Sequence, residues 1–243
     1  MKRSRKRLDA IARARLPEGY DLDRLRNMQK ILASRVVERD VVQDPEKICG
    51  IDLAYVKEKG KEIGIACAVV CNRHGEIIDR SCRAVNIEFP YIPTLLSLRE
   101  LRPMVVAFRS LRERPDIVMI DGHGKAHPYR LGIASHFGVV MKVPTIGCAK
   151  SLLYGELSNC REDQCDIVDP ENGEIIGRAL KHYNKYVYVS VGNLVTLDTA
   201  CRVVREMLRT RSQMPLPILY AHNMCNEYKR RVMRGTTDIE RFL

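Results

Sequence analysis

The amino-acid sequence predicts an α/β fold in which a mixed sheet carries helices on both faces. Two features of the 243-residue chain point to this class. Three strand-like apolar runs follow one another closely between residues 47 and 85, and helical and strand-like segments alternate after them. Hydrophobic residues make up 45% of the chain, which is ordinary for a globular protein and too high for a disordered one.

Residues 1–46 are predicted to be helical and basic. The first 16 residues hold seven basic side chains against one acidic side chain, Asp9. We therefore assign residues 1–20 to a basic helical N-terminal extension, which is an arm on phosphates, a targeting peptide or a solvated helix end. Asp21 is a candidate cap for a second helix, whose apolar residues recur at helical spacing, namely Leu25, Met28, Ile31 and Leu32.

Three strands are predicted next, over Lys47–Val56, Ile63–Cys71 and Glu76–Val85. The segments between them, 58–60 and 72–75, each end in glycine and are typical of turns. Because turns this short make neighbouring strands run antiparallel, we predict a three-stranded meander.

After residue 94 the apolar period becomes helical, with Pro103 as a predicted kink. The predicted elements that follow are strands over 116–120 and 144–147, helices over 130–139 and 151–157, a hairpin of 174–180 with 186–191, a helix over 196–209, a loop holding Pro215 and Pro217, and a basic C-terminal helix. A meander followed by such units is the element order of ribonuclease H-like domains, in which the first and fourth strands are commonly adjacent.

The net charge is informative about partners. The chain carries 41 Lys and Arg against 30 Asp and Glu, which gives +11. An excess of this size points to a polyanionic partner, most often nucleic acid, although it also serves solubility. No apolar run approaches the roughly 18 residues of a membrane span, so we expect a cytoplasmic protein without a membrane segment.

The nine cysteines are predicted to be buried free thiols. Their number is odd, no apolar signal segment precedes them, and no pair has CxxC spacing. These features argue against a disulfide framework and against a zinc site, and they agree with a reducing cytoplasm.

Three acidic residues stand where a hydrophobic core would not select them. Asp52 interrupts the first strand, Glu100 lies in the first helix after the meander, and Asp121 ends the fourth strand. With strands one and four adjacent, Asp52 and Asp121 would lie close together. Crowded carboxylates repel each other unless a cation lies between them, and their oxygens favour Mg²⁺ or Mn²⁺. Taken singly, the aspartates also suit caps or turns and Glu100 suits a solvated helix face.

Two loops have unusual composition. Gly122-His123-Gly124 directly follows the fourth strand, where glycines permit close backbone approach, and Lys125 and His127 add charge and a candidate ligand. Pro90-Tyr91-Ile92-Pro93 is stiff and presents one aromatic ring suited to stacking on bases. The structural alternatives are a tight turn for the first loop and a packed loop for the second.

Together these stretches resemble the endonuclease V family, the deoxyinosine 3′ endonucleases. The resemblance covers about residues 20–230 and rests on four stretches in the family's order. They are Gly50-Ile51-Asp52-Leu53-Ala54-Tyr55, Pro90-Tyr91-Ile92-Pro93 running to Arg99-Glu100, Asp121-Gly122-His123-Gly124 with Ala126-His127-Pro128, and Pro144-Thr145-Ile146-Gly147 with Ala149-Lys150-Ser151.

The resemblance implies a ribonuclease H-like catalytic domain over residues 21–243 and a monomeric DNA-repair enzyme. Its expected cofactor is Mg²⁺, with Mn²⁺ as a substitute, and its expected partner is DNA that contains deoxyinosine. The family cuts the second phosphodiester bond on the 3′ side of the lesion and leaves 3′-hydroxyl and 5′-phosphate ends. Some members prefer inosine in RNA, which keeps an endoribonuclease as the main alternative.

The family's functional positions map onto this sequence by motif. Asp52, Glu100 and Asp121 match the metal-binding carboxylates, Lys150 matches the active-site lysine, and His222 matches a less uniform position near the metals. Tyr91 matches the wedge that fills the gap left by the flipped base. The remaining expected substrate contacts are Pro90, Ile92, Pro93, Thr94, Leu96, Gly122, His123, Gly124, His127 and Leu153.

Two positions depart from the family pattern. Thr94 stands where Gly is usual and is expected to narrow the base pocket, and Asn193 stands where His is usual and cannot carry a proton.

Two further alternatives for the function remain: an inosine-binding protein with little nuclease activity, and a structure-specific nuclease that ignores inosine. The three acids argue against a pure binder, because clustered carboxylates repel phosphate.

Overall fold

The structure is a computed structural model that describes residues 5–58 and 60–234. Lys2 and Arg3 of the predicted basic extension lie outside the described residues. The helices are α1 (Arg5–Arg15), α2 (Leu22–Ala33), α3 (Leu96–Arg109), α4 (Ile133–Met141), α5 (Leu197–Met207) and α6 (Leu216–Met233). The strands are β1 (Lys47–Glu58), β2 (Lys61–Asn72), β3 (Ile77–Asn86), β4 (Ile117–Asp121), β5 (Thr145–Ala149), β6 (Glu156–Ser158), β7 (Gln164–Val168), β8 (Ile175–His182) and β9 (Lys185–Asn193).

Within the described residues, nine strands form one mixed sheet in the order β3-β2-β1-β4-β5-β9-β8-β7-β6. The pairs β1–β4 and β4–β5 are parallel and the other pairs are antiparallel. The predicted meander and the predicted contact between the first and fourth strands are both confirmed. The carboxyl ends of β4 and β5 therefore lie side by side, next to the middle of β1.

Helices cover both faces of this sheet, as predicted. On one face, α3 and α4 bury Met104 and Phe137 against Ile51 and Ile120. On the other face, α5 and α6 bury Val203 and Ile218 among alternate residues of the same strands. Because neighbouring strand residues point to opposite faces, each central strand contributes to both cores. Among the described residues, no helix combines the length and apolarity needed to cross a bilayer.

The two N-terminal helices pack beneath the loop that precedes α3. Leu8 and Ala12 of α1 are buried, and Ala12 packs with Ile92 of the Pro-Tyr-Ile-Pro segment. Asp21 caps α2 as predicted, since its side chain accepts hydrogen bonds from the backbone N–H groups of residues 23 and 24. The buried face of α2 includes the polar Arg26, whereas the apolar Ile31 is 54% exposed.

Three local predictions are wrong. Residues 34–46, predicted within a helical N-terminal region, form neither helix nor strand, because Val37 bonds Asn193 and Leu194 instead of continuing α2. Residues 151–157 do not form a helix, because the chain enters β6 at Glu156, and this strand forms a hairpin with β7. Cross-strand pairing decides this segment, and periodicity within a strand of three residues does not carry that information. Pro217 lies in the first turn of α6 and not in a loop. A proline fits there because the first N–H groups of a helix have no partner within it.

The prediction that all nine cysteines are free is wrong for four of them. Cys67 and Cys82 face each other on neighbouring strands β2 and β3 and form a disulfide. Cys160 and Cys165 form a second disulfide, which joins β7 to the segment before it. Cross-strand register brings Cys67 and Cys82 together, which spacing along the chain does not show. The other five cysteines are free and buried, as predicted: Cys49, Cys71, Cys148, Cys201 and Cys225.

Candidate active site

Two of the three predicted acids lie side by side where β4 ends. The parallel register pairs Ile51 with Ile120, so the residues that follow them, Asp52 and Asp121, occupy neighbouring positions on the face covered by α6. Strand β1 continues to Glu58, whereas β4 stops at Asp121. The sheet is open beyond this point, and Glu100 reaches it from α3 on the opposite face. We call Asp52, Glu100 and Asp121 the carboxylate edge.

Glu100 is held by residues of β1 and its own helix. The hydroxyl group of Tyr55 donates a hydrogen bond to Glu100 Oε1, and the guanidinium of Arg99 lies 4.4 Å from the centre of the Tyr55 ring. Burial, together with the negative charges of Asp52 and Asp121, raises the pKa of Glu100 to about 7 against the opposing effect of Tyr55. Glu100 is thus a carboxylate whose negative charge is poorly compensated by its protein surroundings.

The other two carboxylates each face a proton donor. Lys150, directly after β5, places its Nζ 2.6 Å from Asp121 Oδ2, and His222 of α6 donates from Nδ1 to Asp52 Oδ2 at 2.7 Å. Burial and the charge of Asp52 raise the pKa of Asp121, although Lys150 opposes the shift. His222 comes this close because a Cβ at Gly50 would lie 2.0 Å from the Pro217 carbonyl carbon, so glycine permits α6 to pack directly on β1.

The carboxylate edge fits a divalent cation by its chemistry. Three buried or half-buried carboxylates repel one another, and their oxygen atoms are the ligands that Mg²⁺ and Mn²⁺ prefer. In the part of the chain that the structure describes, no three His, Cys, Asp or Glu side chains are grouped closely enough to hold one ion. Each carboxylate is turned instead toward Tyr55, Lys150 or His222. A cation held by all three carboxylates would therefore require these side chains to turn toward one another.

A narrow cavity lies next to this edge. Of the predicted base-contacting residues, Thr94, Leu96, His123, His127 and Leu153 line it. Ser97, Leu131, Gly132 and Ile133 also line it and were not predicted, whereas Gly122 and Gly124 are not among its lining residues. The cavity measures about 30 Å³, which is space for water and not for a purine. A base can therefore enter only after its walls move apart.

The Gly-His-Gly loop packs tightly between β5, β9 and α4. A Cβ at Gly124 would lie 2.1 Å from the Val191 carbonyl oxygen, a distance that no side chain tolerates. The Gly124 N–H donates to Ser190 Oγ at 2.9 Å, and the His123 ring contacts the Ser151 carbonyl at 3.1 Å. The glycine is needed for close backbone packing, and this packing fixes where His123 stands in the cavity wall.

The Pro-Tyr-Ile-Pro segment presents one ring and buries the next side chain. Tyr91 is 56% exposed, whereas Ile92 is fully buried against α1 and α2. Arg99 donates to the carbonyl oxygen of Phe89 at 2.8 Å and anchors the start of the segment to α3. Pro90 and Pro93 are half-buried on either side. The segment thus holds an exposed aromatic ring on a rigid base, at the rim of the cavity that Thr94 lines.

Asn193 lies away from this site. It pairs with Thr145 at the amino end of β5, whereas Lys150 follows the carboxyl end of the same strand. Its Oδ1 accepts the Val37 N–H and its Nδ2 donates to the Gly138 carbonyl, each at 3.0 Å. Both ends of the amide are thus occupied by backbone groups. The side chain ties β9 to α4 and to the segment after α2.

The residues that hold Glu100 and Thr94 in place were not predicted from the sequence. Tyr55, which binds Glu100, belongs to the first motif, and its place on the same strand as Asp52 was the available signal. Arg26 and Gln29 of α2 contact the cavity residue Thr94. Their polar character at buried positions of an amphipathic helix was the available signal, since buried charges need partners.

Comparisons with known proteins agree with this geometry. The sequence profile of the Endonuclease V family matches residues 30–223. An Endonuclease V of Thermofilum pendens is 35% identical over 219 residues, which cover 89% of this chain and 92% of that protein. The crystal structure of a Bacillus subtilis Endonuclease V superposes with a TM-score of 0.82 at 25% identity, covering 90% of this chain and 96% of the other.

A third comparison bears on the fold. The Endonuclease V of Ciona intestinalis, crystallised with a 24-mer DNA containing an inosine followed by a ribo-adenosine, superposes with a TM-score of 0.77 at 23% identity. The match covers 87% of this chain and 98% of that one. Profile, sequence and structure all match over most of the chain, and the matched region contains the carboxylate edge and the cavity. The chain therefore belongs to the endonuclease V family of nucleases.

Proposed function

We propose that this protein is a Mg²⁺-dependent endonuclease that recognises deoxyinosine in DNA. It hydrolyses the second phosphodiester bond on the 3′ side of the lesion and leaves 3′-hydroxyl and 5′-phosphate ends. The observation that carries the proposal is the convergence of Asp52, Glu100 and Asp121 at one sheet edge, beside a cavity lined by Thr94 and His127. An edge of repelling carboxylates next to a recess that can open for a base suits metal-assisted cleavage of a flanking phosphate.

Asp52, Glu100 and Asp121 are the residues that would hold the metal. Divalent ions held there would supply a water of lowered pKa and a positive charge that stabilises the leaving oxygen. Lys150 places its positive charge against Asp121. Once it leaves Asp121, its ammonium group is free to bind the scissile phosphate and to stabilise the negative charge that develops there.

His222 orients one of these carboxylates. Its Nδ1–H donates to Asp52, and Asn226 Nδ2 lies 3.1 Å from its Nε2 and donates to it. With both ring nitrogens occupied, the imidazole is held in a single tautomer and orientation. His222 therefore fixes the direction of the Asp52 lone pairs, in the way that hydrogen-bonded partners fix metal ligands in other sites.

The cavity is proposed to bind the flipped base and to select hypoxanthine. Hypoxanthine lacks the exocyclic amine of guanine, so a narrow recess can exclude guanine by volume alone. Burial lowers the pKa of His127 to about 3, so this ring is neutral at physiological pH and adds no charge to the recess. Tyr91, exposed on its rigid segment, is placed to fill the gap in the base stack.

The test uses end-labelled DNA and RNA oligonucleotides, each carrying one inosine and each paired with a guanosine control of the same sequence. We expect Mg²⁺-dependent cutting one nucleotide beyond the inosine in DNA, and no cutting in EDTA. Faster cutting of the RNA would replace the proposal with an inosine-specific endoribonuclease. Cutting that ignores inosine would indicate a structure-specific nuclease, and binding without cutting would refute the role of the carboxylate edge.

A further inference from the structure

Thr94 holds a backbone conformation that threonine avoids. Its φ is +71°, in the left-handed region, where a β-branched side chain clashes with its own backbone. It is nevertheless buried, with 3% of its surface exposed, and it lines the cavity proposed to read the base. A residue stays in such a conformation only where its surroundings hold it there.

The side chain of Thr94 is held from α2. Arg26 Nη2 donates to Thr94 Oγ1 at 2.7 Å, across 68 residues of sequence. Arg26 is itself fixed, since its guanidinium pairs with Asp9 of α1 at 2.8 Å, bonds Gln29 Oε1 at 2.7 Å and lies 4.2 Å from the centre of the Tyr129 ring. The Tyr129 hydroxyl group also donates to Asp9, at 2.5 Å. The hydroxyl of Thr94 thus meets a rigid cation.

The carbonyl group of Thr94 is held from two more sides. Gln29 Nε2 donates to this oxygen at 2.8 Å, and His127 Nε2 lies 3.2 Å from it. The backbone N–H of Tyr129 donates to His127 Nδ1, which leaves the proton of the neutral ring on Nε2 and makes the His127 contact a donated hydrogen bond. We call Asp9, Arg26, Gln29, Thr94, His127 and Tyr129 the Thr94 network.

We propose that Arg26 is a positioning residue for base recognition, which acts through Thr94 and sets the wall of the inosine pocket. The N-terminal helices then belong to the specificity machinery, because Asp9 of α1 orients Arg26 and Arg26 of α2 orients Thr94. The inference rests on the proposed function. It adds that the width of the pocket is controlled from outside it, by a charged pair on two helices that do not line the cavity.

A purely structural role for Arg26 makes a different prediction. In that case its loss would loosen α1 and α2 to the same degree whatever residue stands at position 94. If Arg26 acts through Thr94, loss of Arg26 weakens substrate binding only while residue 94 depends on it to keep a positive φ. Glycine at position 94 does not depend on Arg26, since glycine adopts this region without steric cost. The effect of Arg26→Met should therefore depend on Thr94→Gly.

The experiment is single-turnover cleavage of inosine-containing DNA over a range of enzyme concentrations, which separates half-saturation from the maximal rate. We expect Thr94→Val, which removes the hydroxyl, to raise half-saturation about tenfold with little change in the maximal rate, and Thr94→Ser to change it less than about twofold. Arg26→Met should also raise it about tenfold, but should have little effect when combined with Thr94→Gly. Arg24→Met, an exposed cation on the same helix, is the matched control.

The outcomes separate the two proposals. The positioning role of Arg26 would be overturned if Thr94→Val and Thr94→Ser raised half-saturation equally. It would also be overturned if Arg26→Met raised half-saturation by the same factor with and without Thr94→Gly. In both cases the preference for inosine would persist. Wild-type protein that cuts inosine and guanosine substrates alike would overturn the proposed function instead. Urea unfolding of every variant identifies any that fail to fold. If Arg26→Met does not fold, Thr94→Val still tests the contact, because it removes the Thr94 hydroxyl and leaves the Arg26–Asp9 pair intact.

Discussion

The carboxylate edge and the Thr94 network are both polar clusters at the same end of the sheet, yet they are built in opposite ways. In the Thr94 network, the positive charge of Arg26 is matched by Asp9, and the hydroxyl and carbonyl groups of Thr94 both accept hydrogen bonds. At the carboxylate edge, negative charges outnumber the nearby cation Lys150, and the pKa values of Glu100 and Asp121 are raised.

This difference separates two kinds of work. A cluster whose charges balance is stable without a ligand and can hold a shape, as the wall of a selective pocket must. A cluster with excess like charge stores unfavourable energy that a bound cation relieves, so it is suited to binding a metal. The same amino-acid change should therefore have opposite consequences in the two places.

The largest expected effect is the loss of cleavage when charge is removed from the carboxylate edge. Asp121→Asn should reduce cutting of inosine DNA by about a thousandfold, because one metal ligand is lost. Its free energy of unfolding should change by less than about 1 kcal/mol, since repulsion with Asp52 is relieved and the half-exposed contact with Lys150 is weak. Cleavage assays and urea unfolding measure both, with exposed Asp44→Asn as control. Retained activity would contradict the metal-site assignment.

Shape should matter most beside the pocket. Gly124→Ala should cost about 3 kcal/mol of stability, because the new methyl group would overlap the Val191 carbonyl oxygen 2.1 Å away. Gly64→Ala is the matched control, since its nearest neighbour is the flexible end of Ile87 at 2.8 Å, and it should cost less than about 1 kcal/mol. Urea unfolding compares the two variants. Equal costs would show that the Gly-His-Gly loop can move aside.

Removing a charge from the Thr94 network should harm stability, unlike the matching change at the carboxylate edge. Asp9→Asn leaves the guanidinium of Arg26 buried without its counter-ion, which should cost about 2 kcal/mol after allowance for the partial exposure of Asp9. Thermal and urea unfolding, run beside Asp121→Asn, test the contrast directly. If both variants unfold at the same denaturant concentration, the two clusters do not differ in the way described here.

The smallest effect expected is that of the exposed ring at the pocket rim. Tyr91→Ala should weaken binding of inosine DNA about tenfold, which corresponds to one lost stacking contact, and should leave the maximal cleavage rate and the stability unchanged. Tyr91→Phe should retain binding, because stacking uses the ring and not the hydroxyl. The control is Tyr183→Ala, another exposed tyrosine. Fluorescence anisotropy with labelled DNA gives the affinities, and an unchanged affinity for Tyr91→Ala would remove the wedge role.

Much of the central sheet could be predicted because its signals are local. Turn residues between apolar runs define the meander. The adjacency of β1 and β4 was expected from the element order that the chain shares with ribonuclease H-like domains. From there the proximity of Asp52 and Asp121 follows from register alone. The hairpin of β6 and β7 could not be predicted in this way, because β6 is three residues long and β7 five, too short to show a period.

The α/β class and the meander could be predicted from the sequence because composition, periodicity and turns act over a few residues. The family was identified by resemblance of its motifs, and the acidic residues were assigned through those motifs. Tertiary packing fixes which groups face each acid, since Tyr55, Lys150 and His222 arrive from separate elements. It also decided that Arg26 holds Thr94 and that Cys67 meets Cys82. Such contacts depend on how helices and strands pack, and packing brings together residues whose separation in sequence carries no signal.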